Sequence, residues 1–167
     1  DDRDTAAAEV DKALALQTDA LDAMATRAAI ELLSDRSPNE WFARIAAINP
    51  HYGEGYALVA HQIEMHYRYQ DAVTYYRKAI EAAPRLWSAH SALGIELMRL
   101  GKEDEPRQEL ELSYNNEYRD AATVNSLRLL DSYKTFETIR HGATILKLHK
   151  TEAALLRPYM QAELHAI

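Results

Sequence analysis

Apolar positions recur every three to four residues over most of this chain, the spacing of helices with one buried face. From Thr5 to Leu33 they fall at Val10, Leu14, Leu21, Met24, Ala28 and Leu32. Thr5 can cap this stretch, and Gln17-Thr18-Asp19 offers a break that would divide it in two. Ser37-Pro38-Asn39-Glu40 then reads as a sharp helix start. Ser37 supplies a cap oxygen, Pro38 suits the first helical position and Glu40 can close a capping box. That helix runs through Trp41-Phe42 to Ile48 and stops at Asn49-Pro50.

The same rhythm continues in pairs. One helix is predicted from Gly53 to about Arg68, with Tyr56, Val59, Ala60 and Ile63 on one face. Asp71 caps the next, which runs through Ala82 and ends before Pro84. A third pair opens at Trp87, carries His90, Leu93, Gly94 and Leu97, and turns at Leu100-Gly101. Its second member starts near Asp104-Glu105-Pro106 and carries Leu110 and Tyr114. A further helix spans about Arg119 to Ser132, with Val124, Leu127 and Leu130 facing in. After Lys134 the pattern changes. β-Branched residues gather in Thr135–Ile139 and Ala143–Leu148, and His141-Gly142 between them predicts a β-hairpin. A last helix is predicted from about Thr151 to Ile167, kinked or split by Pro158.

Pro50 and Pro84 each close a helix and lie 34 residues apart, the period of a helix-turn-helix repeat. Ala72, Tyr76, Ala79 and Pro84 give the order small, aromatic, small, proline; Leu93-Gly94, Leu97 and Gly101 keep register in the next unit. In these residues the chain resembles the tetratricopeptide repeat family. Pro106 and Ser113 depart from the pattern where alanine is expected, and the unit before Pro50 keeps only Phe42 and Pro50. The resemblance implies a mainly α fold, a solenoid of helical hairpins with a short C-terminal β-hairpin plus helix. It also implies a concave groove lined by the first helix of each pair. By register that groove takes Glu54, Ala57, His61, Glu64, Met65 and Arg68 from one hairpin, and Ser91, Ile95, Met98 and Arg99 from the next. Asn125 follows from the helix after. Some members of the family clamp a peptide carboxylate with Lys, Asn and Arg. The matching places here hold Ala57, His61 and Ser91, which argues against that mode.

Leu127–Thr138 and Ala153–Tyr159 carry a second resemblance, to the junction where bacterial repeats of this kind precede a gluzincin (peptidase MA-like) zinc metallopeptidase domain. It implies a peptidase parent and an exported location. The gluzincin signature HExxH does not occur in the chain, so the resemblance implies no peptidase activity here. The opening Asp1-Asp2-Arg3-Asp4 has no initiator Met, and Gln161–Ile167 ends without a cap; both are expected of a piece of a longer protein.

Composition narrows the classes further. Among 167 residues, 28 are Ala and 20 are Leu, against 5 Gly and 5 Pro, which favours helix throughout the first part. The net charge of −7 argues against a nucleic-acid partner, which needs a basic face. No apolar run reaches the length of a membrane span. With no Cys there is neither a disulfide framework nor a thiolate metal site.

Candidate chemistry is sparse. In His61-Gln62-Ile63-Glu64-Met65-His66 the spacing is one residue too long for HxxEH, and the two His fall about 140° apart on a helix. His61 and Glu64 do share a face, which reads as a polar groove. His90 lies on a core face and is expected to be packed and hydrogen-bonded; His141, His149 and His165 are expected at the surface. Ser88, Ser91 and Ser113 sit on helices without a nucleophile turn, and Gly53-Glu54-Gly55 lacks the context of a phosphate loop. Tyr67, Tyr69, Tyr75 and Tyr76 are either packing between repeats or an aromatic patch, with packing favoured and Tyr76 assigned to it.

The expected organisation is a repeat domain over 1–133 and a hairpin-plus-helix segment over 134–167 that could open a further domain. The expected function is a non-catalytic interaction module for a protein or peptide, with no cofactor, metal, nucleic acid or membrane span. The free hairpin edge predicts a homodimer. The rival readings are a stand-alone assembly adaptor and a helical metal-dependent enzyme built on His61, Glu64 and His90.

Overall fold

The structure, a computed structural model, describes residues 2–142 and 144–166, with side chains as far as Met160. The helices are α1 (Asp2–Leu16), α2 (Leu21–Leu33), α3 (Asn39–Ile48), α4 (Gly53–Glu64), α5 (Tyr69–Ala82), α6 (Trp87–Arg99), α7 (Asp104–Asn115), α8 (Ala121–Ser132) and α9 (Lys150–Ala166). Strands β1 (Phe136–His141) and β2 (Thr144–His149) lie between α8 and α9. The chain forms two compact units, Asp1–Thr123 and Val124–Ile167. The sequence reading divides a repeat domain over 1–133 from a segment over 134–167; the division into compact units lies inside α8, whose first turn is held within the first unit by Thr123 Oγ1, 2.6 Å from Ser91 Oγ.

In the first unit α2/α3, α4/α5 and α6/α7 pack as successive helical hairpins, and α1 packs on α2. The break expected near Gln17 is present between Leu16 and Leu21. Each first helix ends in the same way. A residue in the left-handed region follows it: Asp35 (φ 55°), Tyr67 (φ 62°) and Gly101 (φ 75°), with Glu117 (φ 70°) repeating the device after α7. The next amide reaches back five residues, Arg36 to Glu31, Arg68 to Ile63, Lys102 to Leu97 and Tyr118 to Ser113. These bonds satisfy carbonyls that a helix C-terminus otherwise leaves open.

The core follows the repeat chemistry. Ala28, Ala60, Ala72 and Ala79 are fully buried, and their small side chains let the helices approach. Phe42 of α3 stacks on Tyr56 of α4 (4.3 Å between centroids) and on Tyr75 of α5 (5.8 Å). Pro106, the departure from the repeat pattern, lies in the first turn of α7, where its missing N–H costs no hydrogen bond. It is buried, and Gly94 opposite leaves room: a Cβ there would come 3.1 Å from the Pro106 carbonyl and 2.7 Å from Leu110.

The start of α3 differs in detail from the expectation. The helix begins at Asn39, Pro38 stands outside it at ψ 1°, and the only Ser37 side-chain contact there is a long 3.4 Å bond accepted from the Asn39 amide. The capping box does not form among the cap bonds, because Pro38 has left the helical region.

In the second unit β1 and β2 pair antiparallel, with Ile139 opposite Leu146 and His141 opposite Thr144. Gly142 turns the hairpin at φ 55°, as its position predicted; Ala143 lies outside the described residues. Leu148 and Ala153 are buried, and Lys147 Nζ sits 3.6 Å above the Tyr133 ring. α9 carries Pro158 within one helix and is not split.

Candidate functional site

The groove positions lie on α4, on α6 and in the turns that end them. Glu54 and His61 are exposed and Ala57 is half-buried. Met65, just past the end of α4, is 65 % exposed, an unusual state for a large apolar side chain. Ile95 and Met98 of α6 are half-buried, and Arg99 is exposed. These residues supply both apolar side chains (Met65, Ile95, Met98) and polar ones (Glu54, His61, Arg99) at the expected groove positions. Two expected members do other work. Ser91 is buried at 3 % exposure, its hydroxyl held by Thr123. Arg68 is a tie rather than a free cation: it donates to the Leu32 carbonyl (3.0 Å), Asp35 (3.3 Å) and Asp71 (2.7 Å). Asn125 is exposed on α8 in the second unit and is described with that unit.

The polar centre of the face is a network that sequence spacing only half reveals. Glu64 Oε1 lies 2.8 Å from His61 Nδ1, and Tyr76 of α5 donates its hydroxyl to Glu64 Oε2 at 2.9 Å. Glu96 of α6 comes to the same place. Its side chain is 1 % exposed; Arg99 donates to Oε1 at 2.6 Å, and Oε2 has no hydrogen-bond partner among the described residues. Burial, and then the neighbouring Glu64 charge, push the Glu96 carboxyl up to about 7 against the opposing pull of Arg99. Burial and Glu64 likewise raise the Tyr76 phenol well above its ordinary range, so it stays a donor. Arg99 also covers the Tyr69 ring at 5.2 Å. Glu96 was missed as a functional candidate, and Tyr69 was weighed only as part of an aromatic patch. The available signal was a lone acid inside the apolar run Leu93-Gly94-Ile95-Glu96-Leu97.

The grouping of His61, Glu64 and His90 does not form. His90 is buried as expected, with Nδ1 2.6 Å from Glu109 Oε2 and Nε2 3.1 Å from the Pro84 carbonyl. Both ring nitrogens are thus engaged within the protein, which leaves neither turned to a metal with His61 and Glu64. Among the described residues no cluster of three or more acids and histidines could hold a metal ion. The four tyrosines divide: Tyr75 and Tyr76 are buried, whereas Tyr67 is 81 % exposed and meets Tyr69 edge-on at 6.2 Å. His141 is exposed as expected, while His149 is half-buried with its ring edge-on to Phe136 at 5.4 Å. The His165 side chain lies outside the described residues.

Successive hairpins, repeated left-handed turns and small-residue packing define a tetratricopeptide-like helical repeat fold with a short two-stranded sheet near the C-terminus. The crystal structure of MamA shares this fold, with a TM-score of 0.57 at 16 % identity over 80 % of this chain and 79 % of that one. A second MamA crystal structure aligns at a TM-score of 0.45 and 16 % identity over 84 % of this chain and 90 % of its own. No protein-family model matches the sequence, and no curated protein sequence matches it significantly.

Proposed function

We propose that the first unit is a non-catalytic interaction module that binds a protein or peptide on the face of α4 and α6. The observation that carries this reading is the exposed Met65, with partly exposed Ile95 and Met98 and the polar His61, Arg99 and Glu64 at the other groove positions. Apolar side chains set among polar ones suit an extended or helical segment that buries a few apolar anchors. Fold kinship to MamA agrees with such a module and names no partner for it. The test is a peptide-display selection against the full chain, followed by affinities for Met65→Glu and for Leu16→Glu, a control on 92 % exposed Leu16 of α1. Selected peptides are expected to lose about tenfold in affinity on Met65→Glu, the scale of one interface anchor, and nothing on the control. Equal binding to both variants, or no binder at all, overturns the reading.

The resemblance of 127–167 to a peptidase junction supports an attached metallopeptidase, which the reading frame past Ile167 tests: an HExxH there supports it, and a frame that ends without one removes it in favour of a stand-alone adaptor. The hairpin supports a homodimer, because among the described residues each strand pairs only with the other and so keeps one open edge. Light scattering over a concentration series is expected to show the mass rising towards two chains; a constant single-chain mass rejects it.

A further inference from the structure

We infer that Glu64 and Glu96 form a proton-operated latch between α4 and α6: the two carboxyls share one proton when the latch is closed and come apart electrostatically when it leaves. Three features of the geometry carry this. Glu96 is buried to 1 % exposure on an otherwise apolar helix face, where an unpaired charge is costly. Its Oε2 finds no donor among the described residues, while its Oε1 is held by Arg99. Glu64, held by His61 and Tyr76, neighbours the Glu96 carboxyl, and two carboxyls bond only when one carries a proton. The proton therefore supplies the donor that Oε2 otherwise lacks.

The surroundings leave the pair unable to hold two negative charges comfortably. From α4, His61 faces Glu64; from α5, Tyr76 donates to Glu64 and Tyr69 lies under Arg99; from α6, Arg99 is the one cation on Glu96 among the described residues. One guanidinium, itself 45 % exposed, serves two carboxylates once the proton is gone. Glutamate in an unfolded chain releases its proton near its ordinary value of 4.5, whereas Glu96 in the fold holds on to about 7. The folded state thus binds the extra proton between these values, and stability falls as pH rises through that window and levels off above it. Glu64 is the last residue of α4 and Met65 follows it, so the latch acts next to the exposed Met65.

The test combines thermal unfolding of the full chain at pH 5 and pH 8 with carboxyl ¹³C NMR of its glutamates. Relative to Glu96→Gln, whose amide donates to Glu64 at every pH, the unaltered chain is expected to lose about 5 °C more in Tm between the two pH values. One glutamate carboxyl is expected to titrate near neutrality and to vanish from the spectrum of Glu96→Gln, and Glu64→Gln is expected to move it. The NMR titration needs only the unaltered chain, so it decides the matter if the variants do not fold. A pH slope shared by the unaltered chain and Glu96→Gln, or glutamate carboxyls that all titrate below about pH 5.5, a unit above their ordinary value, overturns the latch.

Discussion

Phe42→Ala is expected to destabilise the first unit by about 3–5 kcal/mol, seen as a lower urea midpoint with an unchanged slope. Phe42 is 8 % exposed and joins α3 to the next hairpin through two aromatic contacts. Its ring lies almost parallel to Tyr56, 16° between planes at 4.3 Å, and stacks on Tyr75 at 5.8 Å. Removing it therefore deletes buried area, leaves a cavity and breaks two aromatic contacts at once, each worth about 0.5–1.5 kcal/mol beyond burial. The neighbours cannot collapse inward easily, because Ala60 and Ala79 already sit at full burial between the helices. Phe42→Leu keeps most of the volume and is expected to cost about half as much. A loss below 1 kcal/mol for the alanine variant would show that α3 is not integral to the array.

The fold was legible where one residue type has one job. Pro50 and Pro84 marked the period, because proline is disfavoured in a helix interior and commonly stands just past a helix end, and the alanines of α5 marked which face packs. Gly142 placed the hairpin turn for the same kind of reason. Positions where the backbone tolerates a poor residue were not legible. Asp35, Tyr67 and Glu117 hold left-handed turns without glycine, so only Gly101 announced a device used four times. The capping box at Ser37 was a false signal, since its residue pattern is satisfied while Pro38 leaves the helical region. The candidate site was half legible. Register placed His61, Glu64, Met65, Ile95, Met98 and Arg99 on the first helices and their ends, but register does not report burial. Ser91 therefore went to a buried hydrogen bond, and Arg68 to a tie between hairpins. Glu96 and Tyr76 joined Glu64 only through tertiary approach across α5, which no spacing within one helix encodes.

Gly53→Ala is expected to lower stability by about 2 kcal/mol, or roughly 4–8 °C in Tm for a chain of this size. The usual gain from replacing a helical glycine is small here, because Gly53 is the first residue of α4, where little propensity is at stake. The cost is steric. A Cβ at this position would stand 2.5 Å from the Ala79 carbonyl oxygen and 2.6 Å from the Ala83 Cβ, so backbone of the facing helix α5 must shift. Neither atom belongs to a flexible side chain that could swing away. Gly101 supplies the internal contrast. It has open space around its Cα but φ 75°, so Gly101→Ala is expected to cost about 1 kcal/mol through backbone strain alone, and Gly101→Asn less, since asparagine accepts that region. At Gly53 asparagine and alanine are expected to fail alike, because any Cβ meets the same carbonyl. Thermal unfolding of the four variants separates the two causes: a tolerant Gly53→Asn would mean that α4 and α5 approach less closely than 2.5 Å implies, and that the small-residue seam is not what sets their spacing.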